Sequence, residues 1–450
     1  MIISNKKEKF FLLIGDLLIF ATSLLVSLIL RGGYTPIWAS FKEHLVPFAF
    51  IFIAWIIVFF VAGLYDKYTT ILKDSIPKII FNAQLVNSGI AIAFFYLIPY
   101  FGIAPKTILF LDLIISFILI YTWRIYSHSI LGLKRKEPAI LIGSGEEMLS
   151  VFNETNENPT SELKFVLSID LDKENNTSYI ESVVNKIKDG EASVVVIDLK
   201  DTRIEPILPV LYQQIFSGVK FIDMDKVYES IFDRVPLSFL QYDWFLENIS
   251  LKHDLIYLFF KRSLDIIISF LILIILALFF PFIALAIILD TKKAKIMISQ
   301  NRIGEDGKII KIHKFLTMLF DDGGDEQLRN KNRLTSVGTF LRKTRLDELP
   351  QAWNVIKGDL SLIGPRPEMP LFVDLYEKEI PYYNIRHIIK PGLSGWAQVC
   401  QNNPPKGSVN FYDTKTKLSY DLYYLKNKSI ILDLNIVFKT IKTLLSRKGE

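Results

Sequence analysis

Four long apolar stretches in the first third of the chain constrain its fold more than any other feature. They cover roughly residues 11–30, 45–64, 79–101 and 108–126. Each approaches the ~20 residues that a helix needs to cross the hydrocarbon core of a bilayer. Half of the 450 residues are hydrophobic and 22% are charged, so a membrane part and a water-exposed part must coexist. The sequence therefore predicts a multi-domain membrane protein with a four-helix transmembrane bundle over residues 1–132.

Lysine and arginine are distributed unevenly around these stretches. The more basic connecting segments contain Lys67, Lys73, Lys78, Arg124, Lys134, Arg135 and Lys136. The others contain Arg31, Lys42 and Lys106. Because basic loops stay on the cytoplasmic side, both ends of the bundle are predicted to lie there. Asp16 and Asp112 fall inside or near the spans, where each either marks a polar pathway or occupies a helix-packing or interfacial position.

Residues 133–255 have the pattern of a soluble α/β domain. Short β-branched runs at 139–143, 164–169 and 192–197 alternate with polar helical segments, which predicts a small parallel sheet. Gly143 and Gly145 follow the first run as in a dinucleotide-binding loop, but Met148 occupies the third glycine position. Glycines also serve tight strand-to-helix turns that bind nothing. We therefore expect a Rossmann-like domain with a degenerate nucleotide-binding loop.

The apolar run from Ile266 to Leu289 is long enough to span a membrane, but its flanks favour another topology. Lys261 and Arg262 precede it, and Pro281 lies inside it. The residues that follow are again basic: Lys292, Lys293 and Lys295. Positive charge on both sides and an internal proline predict a re-entrant helix over residues 263–290 that breaks and returns to the same face. The alternative, a spanning helix, would place the following domain outside the cytoplasm.

The region from 291 to 450 is basic, with 27 Lys and Arg against 17 Asp and Glu. A basic surface beside a membrane attracts lipid headgroups and phosphorylated ligands, although charge alone would also attract nucleic acid. Cys400 is the only cysteine, and the five histidines lack His-x-x-x-His spacing. These counts exclude an intrachain disulfide and argue against a cysteine or histidine-pair metal site.

Asp347 and Glu348 are adjacent, so on a helix their side chains would diverge by about 100° and suit different tasks. One carboxylate could attack phosphorus while the other holds Mg²⁺. The alternative is structural: Asp347 would cap a helix whose first turn contains Glu348 and Pro350. Nearby basic residues favour catalysis, because guanidinium groups grip phosphate oxygens. They are Arg342, Lys343, Arg345 and Arg366, the last held between two prolines.

Five ordered motifs carry most of the polar residues of chemical interest. They are QNRIG at 300–304, HKFLTM at 313–318, GTFLRKTRLDELP at 338–350, NVIKGDLSLIGPRP at 354–367 and PGLSGWAQV at 391–399. In this order they resemble the bacterial sugar transferase family, the monotopic polyprenyl-phosphate glycosyl-1-phosphate transferases, over about residues 261–445. The bundle and the α/β domain resemble those of the long-form members that initiate exopolysaccharide or O-antigen assembly.

The resemblance implies that residues 256–450 form a mainly α (α+β) monotopic catalytic domain containing the re-entrant helix. It implies that Asp347 attacks the β-phosphorus of a UDP-sugar, releasing UMP, and that polyprenyl (undecaprenyl) phosphate then accepts the sugar phosphate. Glu348, with Asp347, would hold Mg²⁺. The substrate-binding candidates are Arg342, Arg366, Lys314, Arg302, Asp359 and Gln398. Lys261 and Arg262 would mark the membrane boundary, and Pro281 the kink.

The implied setting is the bacterial inner (cytoplasmic) membrane, with the catalytic domain on the cytoplasmic face. The implied partners are the lipid bilayer, a UDP-sugar and polyprenyl phosphate. The resemblance also allows a homo-oligomer such as a dimer, and nucleic acid is not expected.

Three positions depart from the family pattern. Phe280 replaces the serine of a Ser-Pro pair at the kink, and Leu316 replaces a second basic residue in the 313–318 motif. Cys400 and Gln401 replace an Asn-Gly pair. A cation lost at Leu316 would weaken phosphate binding or alter sugar choice.

Two other function classes compete with this interpretation. One is a catalytically weak membrane scaffold of a polysaccharide biosynthesis or export complex, against which the intact acid pair and its arginines argue. The other is a nucleotide-sugar dehydratase, which would depend on Gly143 and Gly145, but no Tyr-x-x-x-Lys occurs in that domain.

Overall fold

The computed structural model divides the chain into two compact units, Met1–Ile231 and Phe232–Glu450. The described residues are 4–32, 37–65, 76–97, 106–131, 136–158, 161, 163–173, 179–249, 255–291, 295–319, 333–401 and 410–445. Some basic residues used in the topology prediction lie outside these ranges: Lys67, Lys73, Lys134, Arg135, Lys292 and Lys293.

Four helices form the bundle that the apolar stretches predicted. The helices are α1 (Ser4–Gly32), α2 (Ile37–Val61), α3 (Ile76–Leu97) and α4 (Lys106–Leu131). By length and composition, each contains a segment that could cross a membrane, and one further described helix in the second unit does so too. The prediction of four helices able to span a membrane is therefore confirmed by their length and composition.

Both acidic residues of the bundle have partners inside it. Asp16 forms an ion pair with Arg124 and accepts a hydrogen bond from the Tyr65 hydroxyl at 2.5 Å. Asp112 accepts a hydrogen bond from the Ser23 hydroxyl, also at 2.5 Å. The Asp16–Arg124 and Ser23–Asp112 contacts join α1 to α4 across buried surfaces. They favour the helix-packing interpretation of these acids over a polar pathway.

A four-stranded parallel sheet follows the bundle along the chain, as predicted. The strands are β1 (Glu137–Gly143), β2 (Leu163–Asp170), β3 (Val194–Ile197) and β4 (Lys220–Asp223), and their order across the sheet is β2-β1-β3-β4. The helices of this region are α5 (Gly145–Glu157), α6 (Tyr179–Lys188), α7 (Leu208–Gln214) and α8 (Met224–Phe232). β1 and β3 are buried over most of their length, as expected for central strands of a parallel sheet.

The glycines after β1 have local structural reasons. A Cβ on Gly143 would lie 2.8 Å from the Met224 sulfur, and Gly145 has φ +80°. The first turn of α5 carries Glu146 and Glu147, which would repel a phosphate at that helix end. The loop thus suits a strand-to-helix turn better than phosphate binding.

The second unit is mainly helical with two small sheets. Its helices are α9 (Tyr242–Asn248), α10 (Leu255–Thr291), α11 (Ser336–Thr344), α12 (Gln351–Lys357), α13 (Pro370–Glu379), α14 (Trp396–Cys400), α15 (Phe411–Lys426) and α16 (Ile430–Leu445). β5 (Met297–Ile303) and β6 (Ile309–Phe315) form an antiparallel hairpin. β7 (Ser361–Ile363) pairs in parallel with β8 (Gly392–Ser394). Residues 232–249, expected in the middle domain, pack in this unit, where Val235 and Trp244 join the core around Tyr383.

The apolar helix α10 differs from its predicted form. It runs without interruption from Leu255 to Thr291 with Pro281 inside it, so the expected break is absent. An interior proline costs a helix about 3 kcal/mol. Burial of an apolar stripe offsets this cost, since Leu276 and Ile287 pack around Phe315.

The beginning and the end of α10 contact the same unit. Arg262 donates to two backbone carbonyls of α12 at 2.7 and 2.8 Å, and Asp265 accepts from the Leu362 amide at 3.0 Å. At the other end, Asp290 accepts from the Val337 amide at 2.7 Å. The opposite face of the helix is apolar and exposed, at Leu271, Ile274, Ile275, Leu278, Phe282, Leu285 and Leu289.

Candidate active site

Two loops approach each other so closely that their glycines leave no room for side chains. A Cβ on Gly392 would lie 2.1 Å from the Gly364 nitrogen, and one on Gly395 would lie 2.4 Å from the Gly364 oxygen. The Gly364 amide donates to the Ser394 carbonyl at 2.9 Å. Because Gly364 stands two residues before Arg366, this contact anchors the loop that carries Arg366.

Asp347 lies in a short 3-10 turn, Leu346–Glu348, that begins after α11. Arg345, with φ +58°, reverses the chain between the two elements. The cap residue of α12 is Pro350, and no side chain caps this helix. Asp347 is 8% exposed, and its Oδ1 has no hydrogen-bond partner among the described residues. The capping interpretation is therefore not realised, and the carboxylate is buried and unpaired.

Glu348 has the opposite surroundings. Its Oε1 accepts from Arg366 at 2.9 Å and from Lys314 at 3.2 Å. Burial acts to raise the pKa of Glu348, but the charges of Arg366 and Lys314 outweigh burial and hold the pKa below its usual range. Glu348 is thus fixed as a carboxylate.

The pKa of Asp347 moves in the other direction. Burial, followed by the neighbouring Glu348 charge, raises the pKa of Asp347, whereas Lys314 and Arg342 act to lower it. Two adjacent acids whose pKa values are pushed apart are suited to different tasks. The two acids thus differ in their electrostatic surroundings, and their division into a nucleophile and a metal ligand stays a prediction.

A cation-lined hollow opens beside the acid pair. Its lining consists of Arg302, Ile312, Lys314, Gln351, Arg366, Pro367, Gly392 and Leu393. Burial lowers the pKa of Lys314 and of Arg302, while the Glu348 charge raises the pKa of Arg366. Three partly desolvated cations in one concave site form a binding place for an anion such as a phosphate or diphosphate.

Three other predicted residues, Arg342, Asp359 and Gln398, are not among those that line the hollow. Arg342 is exposed, and its Nε donates to the Thr317 hydroxyl at 3.0 Å. Asp359 accepts from Lys357 at 3.0 Å. Gln398 lies near Leu393, whose carbonyl is 3.5 Å from Gln398 Nε2.

The predicted membrane-boundary residues are bound to the same unit. Lys261 pairs with Asp433 at 2.9 Å and donates to the Tyr424 hydroxyl at 3.2 Å. Together with the Arg262 contacts to α12, this pair ties the beginning of α10 to the catalytic unit.

Sequence reasoning missed two features of the site. Gln351 lines the hollow, although it lies just beyond the 338–350 motif that carries the acid pair. Arg386 pairs with the buried Asp421 and donates from Nη2 to the Arg366 backbone carbonyl at 3.0 Å. The only sequence signal for Arg386 was its position five residues before the 391–399 motif.

Leu316 does not leave a gap among the phosphate-binding cations. It is 1% exposed and packs with Leu276 and Leu341 in the apolar cluster against α10. Phe280 belongs to the same cluster, with its ring 5.9 Å from that of Phe315. Both departures therefore extend the apolar contact between α10 and the unit. The expected weakening of phosphate binding finds no support in this placement.

The acid pair fits a Mg²⁺ ion held partly by substrate. Within the described ranges, no group of three acidic, histidine or cysteine side chains could hold a metal alone. Mg²⁺, however, is commonly bound by one or two carboxylates together with substrate phosphates and water. The unpaired Asp347 Oδ1 beside an anion-binding hollow meets that requirement.

Comparisons with known proteins agree with this geometry. The family model described as bacterial sugar transferase matches residues 256–447. The chain is 43% identical over 205 residues to the UDP-N-acetylgalactosamine-undecaprenyl-phosphate N-acetylgalactosaminephosphotransferase of Aeromonas hydrophila, covering 44% of this chain and 47% of that protein. It is 38% identical over 185 residues to the UDP-glucose:undecaprenyl-phosphate glucose-1-phosphate transferase of Escherichia coli (strain K12), covering 40% of this chain and 39% of that protein.

A shorter relative is matched over nearly its whole length. The exopolysaccharide production protein PSS of Rhizobium leguminosarum bv. phaseoli is 37% identical over 194 residues, which are 42% of this chain and 96% of that protein. The matched region covers less than half of each of the two longer relatives.

Proposed function

Because the chain belongs to the bacterial sugar transferase family, we propose that it transfers a sugar 1-phosphate from a UDP-sugar to polyprenyl phosphate, and so initiates a surface polysaccharide. One observation carries the proposal: the buried, unpaired carboxylate of Asp347 stands beside a hollow lined by Arg302, Lys314 and Arg366. A nucleophile next to a cationic site for phosphate oxygens is what this transfer requires.

The reaction takes two steps on the same phosphorus. In the first, an Asp347 carboxylate oxygen attacks the β-phosphorus of the UDP-sugar, and the bond to the bridging oxygen breaks. UMP leaves with that oxygen and its electron pair, and the sugar phosphate stays on Asp347 as an acyl phosphate. In the second, an oxygen of polyprenyl phosphate attacks this phosphorus. The Asp347 carboxylate leaves, and the product is a polyprenyl diphosphate sugar.

The surrounding charges support both steps. Lys314 and Arg366 are held by Glu348, so they are already oriented when the diphosphate arrives. Their charges stabilise the negative charge that gathers on the departing UMP. Asp347 has no hydrogen bond on Oδ1 to break before it attacks. When bound, Mg²⁺ supplies further neutralisation of the diphosphate, and Glu348 with Asp347 are the residues that would hold it.

The contacts of α10 support a monotopic placement, in which the helix is inserted from one face of the cytoplasmic membrane and does not cross it. Arg262 and Asp265 at its start and Asp290 near its end bind the same polar unit, which cannot lie on both sides of a bilayer. The exposed apolar face of the helix would then enter the lipid from one side. The supply of nucleotide sugars in the cytoplasm places that side on the inner face.

The proposal is tested by following UMP in membranes that contain the full chain. A panel of UDP-sugars is supplied with and without polyprenyl phosphate, and Asp347→Asn is compared with Asp374→Asn, an exposed aspartate of the same unit. We expect one UDP-sugar to give UMP, Asp347→Asn to abolish release, and Asp374→Asn to behave as the wild type.

The covalent step has its own readout. With UDP-sugar labelled in the β-phosphate and no carrier, label should remain on the denatured wild-type protein and be released by hydroxylamine, which cleaves acyl phosphates. Unchanged turnover in Asp347→Asn would exclude the covalent mechanism. Absence of UMP from every donor in the wild type would exclude the transferase activity.

A further inference from the structure

Gln351 is an unsatisfied donor at the wall of the cation-lined hollow. It is the first residue of α12 and follows Glu348 by three positions. Its side chain is 4% exposed, and Nε2 has no hydrogen-bond acceptor within the part of the chain that the structure describes. It lines the hollow together with Arg302, Lys314 and Arg366.

A buried amide without a partner is costly in a folded protein, because it has lost its water and gained nothing in exchange. In native proteins most buried polar groups have a hydrogen-bond partner, so a buried amide without one requires an explanation. An apolar side chain of similar size would fill the same space without this cost. The Gln351 amide therefore either binds a ligand or lowers the stability of the protein without a compensating function.

The chemistry of the hollow identifies the missing partner. An Nε2 amide can only donate, so the partner must offer an acceptor oxygen. The nearby side chains that carry formal charge in the lining are all positive, which selects an anionic oxygen. Arg302 repeats the pattern, since its Nε is also buried without an acceptor among the described residues. Two residues with unsatisfied donors thus line a hollow that already has the charge for a phosphate.

We propose that Gln351 Nε2 and Arg302 Nε donate hydrogen bonds to non-bridging phosphate oxygens of the substrate. This rests on the proposed transferase function, because the phosphate belongs either to the UDP-sugar or to the polyprenyl carrier. Gln351 is then a binding residue of the active site whose hydrogen bond forms only when substrate is present. Its position three residues from Glu348 places the donor next to the acid pair.

The proposal predicts an unusual combination of effects. Gln351→Met keeps the volume and removes the donor, so the ligand-free protein should melt at the same temperature as the wild type or higher. The Michaelis constant for the substrate should rise about 10- to 100-fold, the range for a lost hydrogen bond to a charged group. Gln351→Glu places a third carboxylate among the phosphates and should raise the Michaelis constant further.

Gln401 provides the matched control. Its Nε2 already donates to the Asp413 backbone carbonyl at 2.9 Å, so this donor is satisfied inside the protein, and only its Oε1 has no partner among the described residues. Gln401→Met should therefore lower the melting temperature and leave the Michaelis constants unchanged.

The experiment uses the purified full chain in detergent with a UDP-sugar that the wild type accepts. Melting is measured without ligand and with UDP, and Michaelis constants are measured separately for the UDP-sugar and for polyprenyl phosphate. A rise confined to the UDP-sugar, with smaller stabilisation by UDP, places the contact on the donor diphosphate. A rise confined to the carrier places it on the carrier phosphate.

Two results would overturn the inference. One is a Gln351→Met protein with unchanged Michaelis constants. The other is a Gln351→Met protein that melts below the wild type, as Gln401→Met does, because Gln351 would then be satisfied structurally. If the wild type itself releases no UMP, the proposed function fails instead, so the two failures are distinguishable. If Gln351→Met does not fold, Gln351→Glu with unchanged Michaelis constants overturns the inference.

Discussion

The buried pair of Arg386 and Asp421 should control activity through the position of the Arg366 loop. Both side chains are 1% exposed, and they meet at 2.7 Å. Arg386 also donates to the Tyr383 hydroxyl at 3.1 Å and to the Arg366 backbone carbonyl at 3.0 Å. The Arg386 guanidinium therefore links the protein core to the loop that pairs with Glu348.

Replacing Arg386 by methionine should weaken both the fold and the reaction. The change leaves the Asp421 charge buried without compensation, which costs about 3–5 kcal/mol in unfolding free energy. It also releases the Arg366 carbonyl, and a displacement of about 1 Å at a catalytic loop lowers kcat/KM roughly 100-fold. Urea unfolding of the full chain in detergent and UMP release measure the two effects.

A double variant separates the loss of stability from the loss of activity. Arg386→Met with Asp421→Leu removes both charges, so most of the lost unfolding free energy should return. Nothing in that variant holds the Arg366 carbonyl, so kcat/KM should stay low. Lys186→Met serves as the control, because its pair with Glu191 is solvent-exposed and is worth at most about 1 kcal/mol. Recovery of kcat/KM together with stability would refute the positioning role of Arg386.

Four further outcomes follow from the same structure. Burial and the Glu348 charge raise the pKa of Asp347, so the folded state becomes less stable as pH rises and Asp347 ionises. Asp347→Asn removes this loss, so it should raise the melting temperature at about pH 8 but not at about pH 4. The lowered pKa of Glu348 has the opposite effect, because its carboxylate stabilises the folded state at neutral pH and this stabilisation is lost in acid. Glu348→Gln should therefore lower the unfolding free energy in urea by about 2–3 kcal/mol at neutral pH and by less in acid. Gly338→Ala should cost about 3 kcal/mol in the same assay, because its Cβ would lie 1.9 Å from the Thr317 carbonyl oxygen. Leu316→Arg should lower the melting temperature and leave the Michaelis constant for UDP-sugar no better, because the guanidinium would be buried in an apolar cluster.

Local patterns predicted the elements whose stability is local. Stretches of about 20 apolar residues were enough to predict the bundle, because no other environment accepts them. The β-branched runs predicted a parallel sheet, and the observed helices differ from the predicted spans mainly at their ends. The structure brings the predicted Arg366 into an ion pair with Glu348, and the catalytic role of the acid pair stays a prediction.

Contacts between distant segments were beyond the reach of these patterns. Arg386 and Asp421 are separated by 35 positions, and neither belongs to one of the five motifs. Pro281 predicted a break that α10 does not show. The low helix propensity of proline is offset by burial of apolar side chains along the helix. Leu316, directly after β6, was expected to matter for phosphate, but it packs against Leu276 of α10, which lies 40 positions away in the sequence.

The charge balance of the hollow gives a physical reason for a divalent cation in the proposed reaction. Arg302, Lys314 and Arg366 supply three positive charges, and the ionised acid pair supplies two negative ones, so the free site carries about one net positive charge. A bound diphosphate brings about two negative charges and reverses that sign. Glu348 cannot release its cations to correct this, because it would then be a buried carboxylate without a partner. The attack of Asp347 on an already anionic phosphorus would therefore meet net repulsion. A Mg²⁺ ion held by Glu348 and by the Asp347 oxygen that does not attack would remove that repulsion, and the Lys314 and Arg366 contacts to Glu348 Oε1 would stay in place.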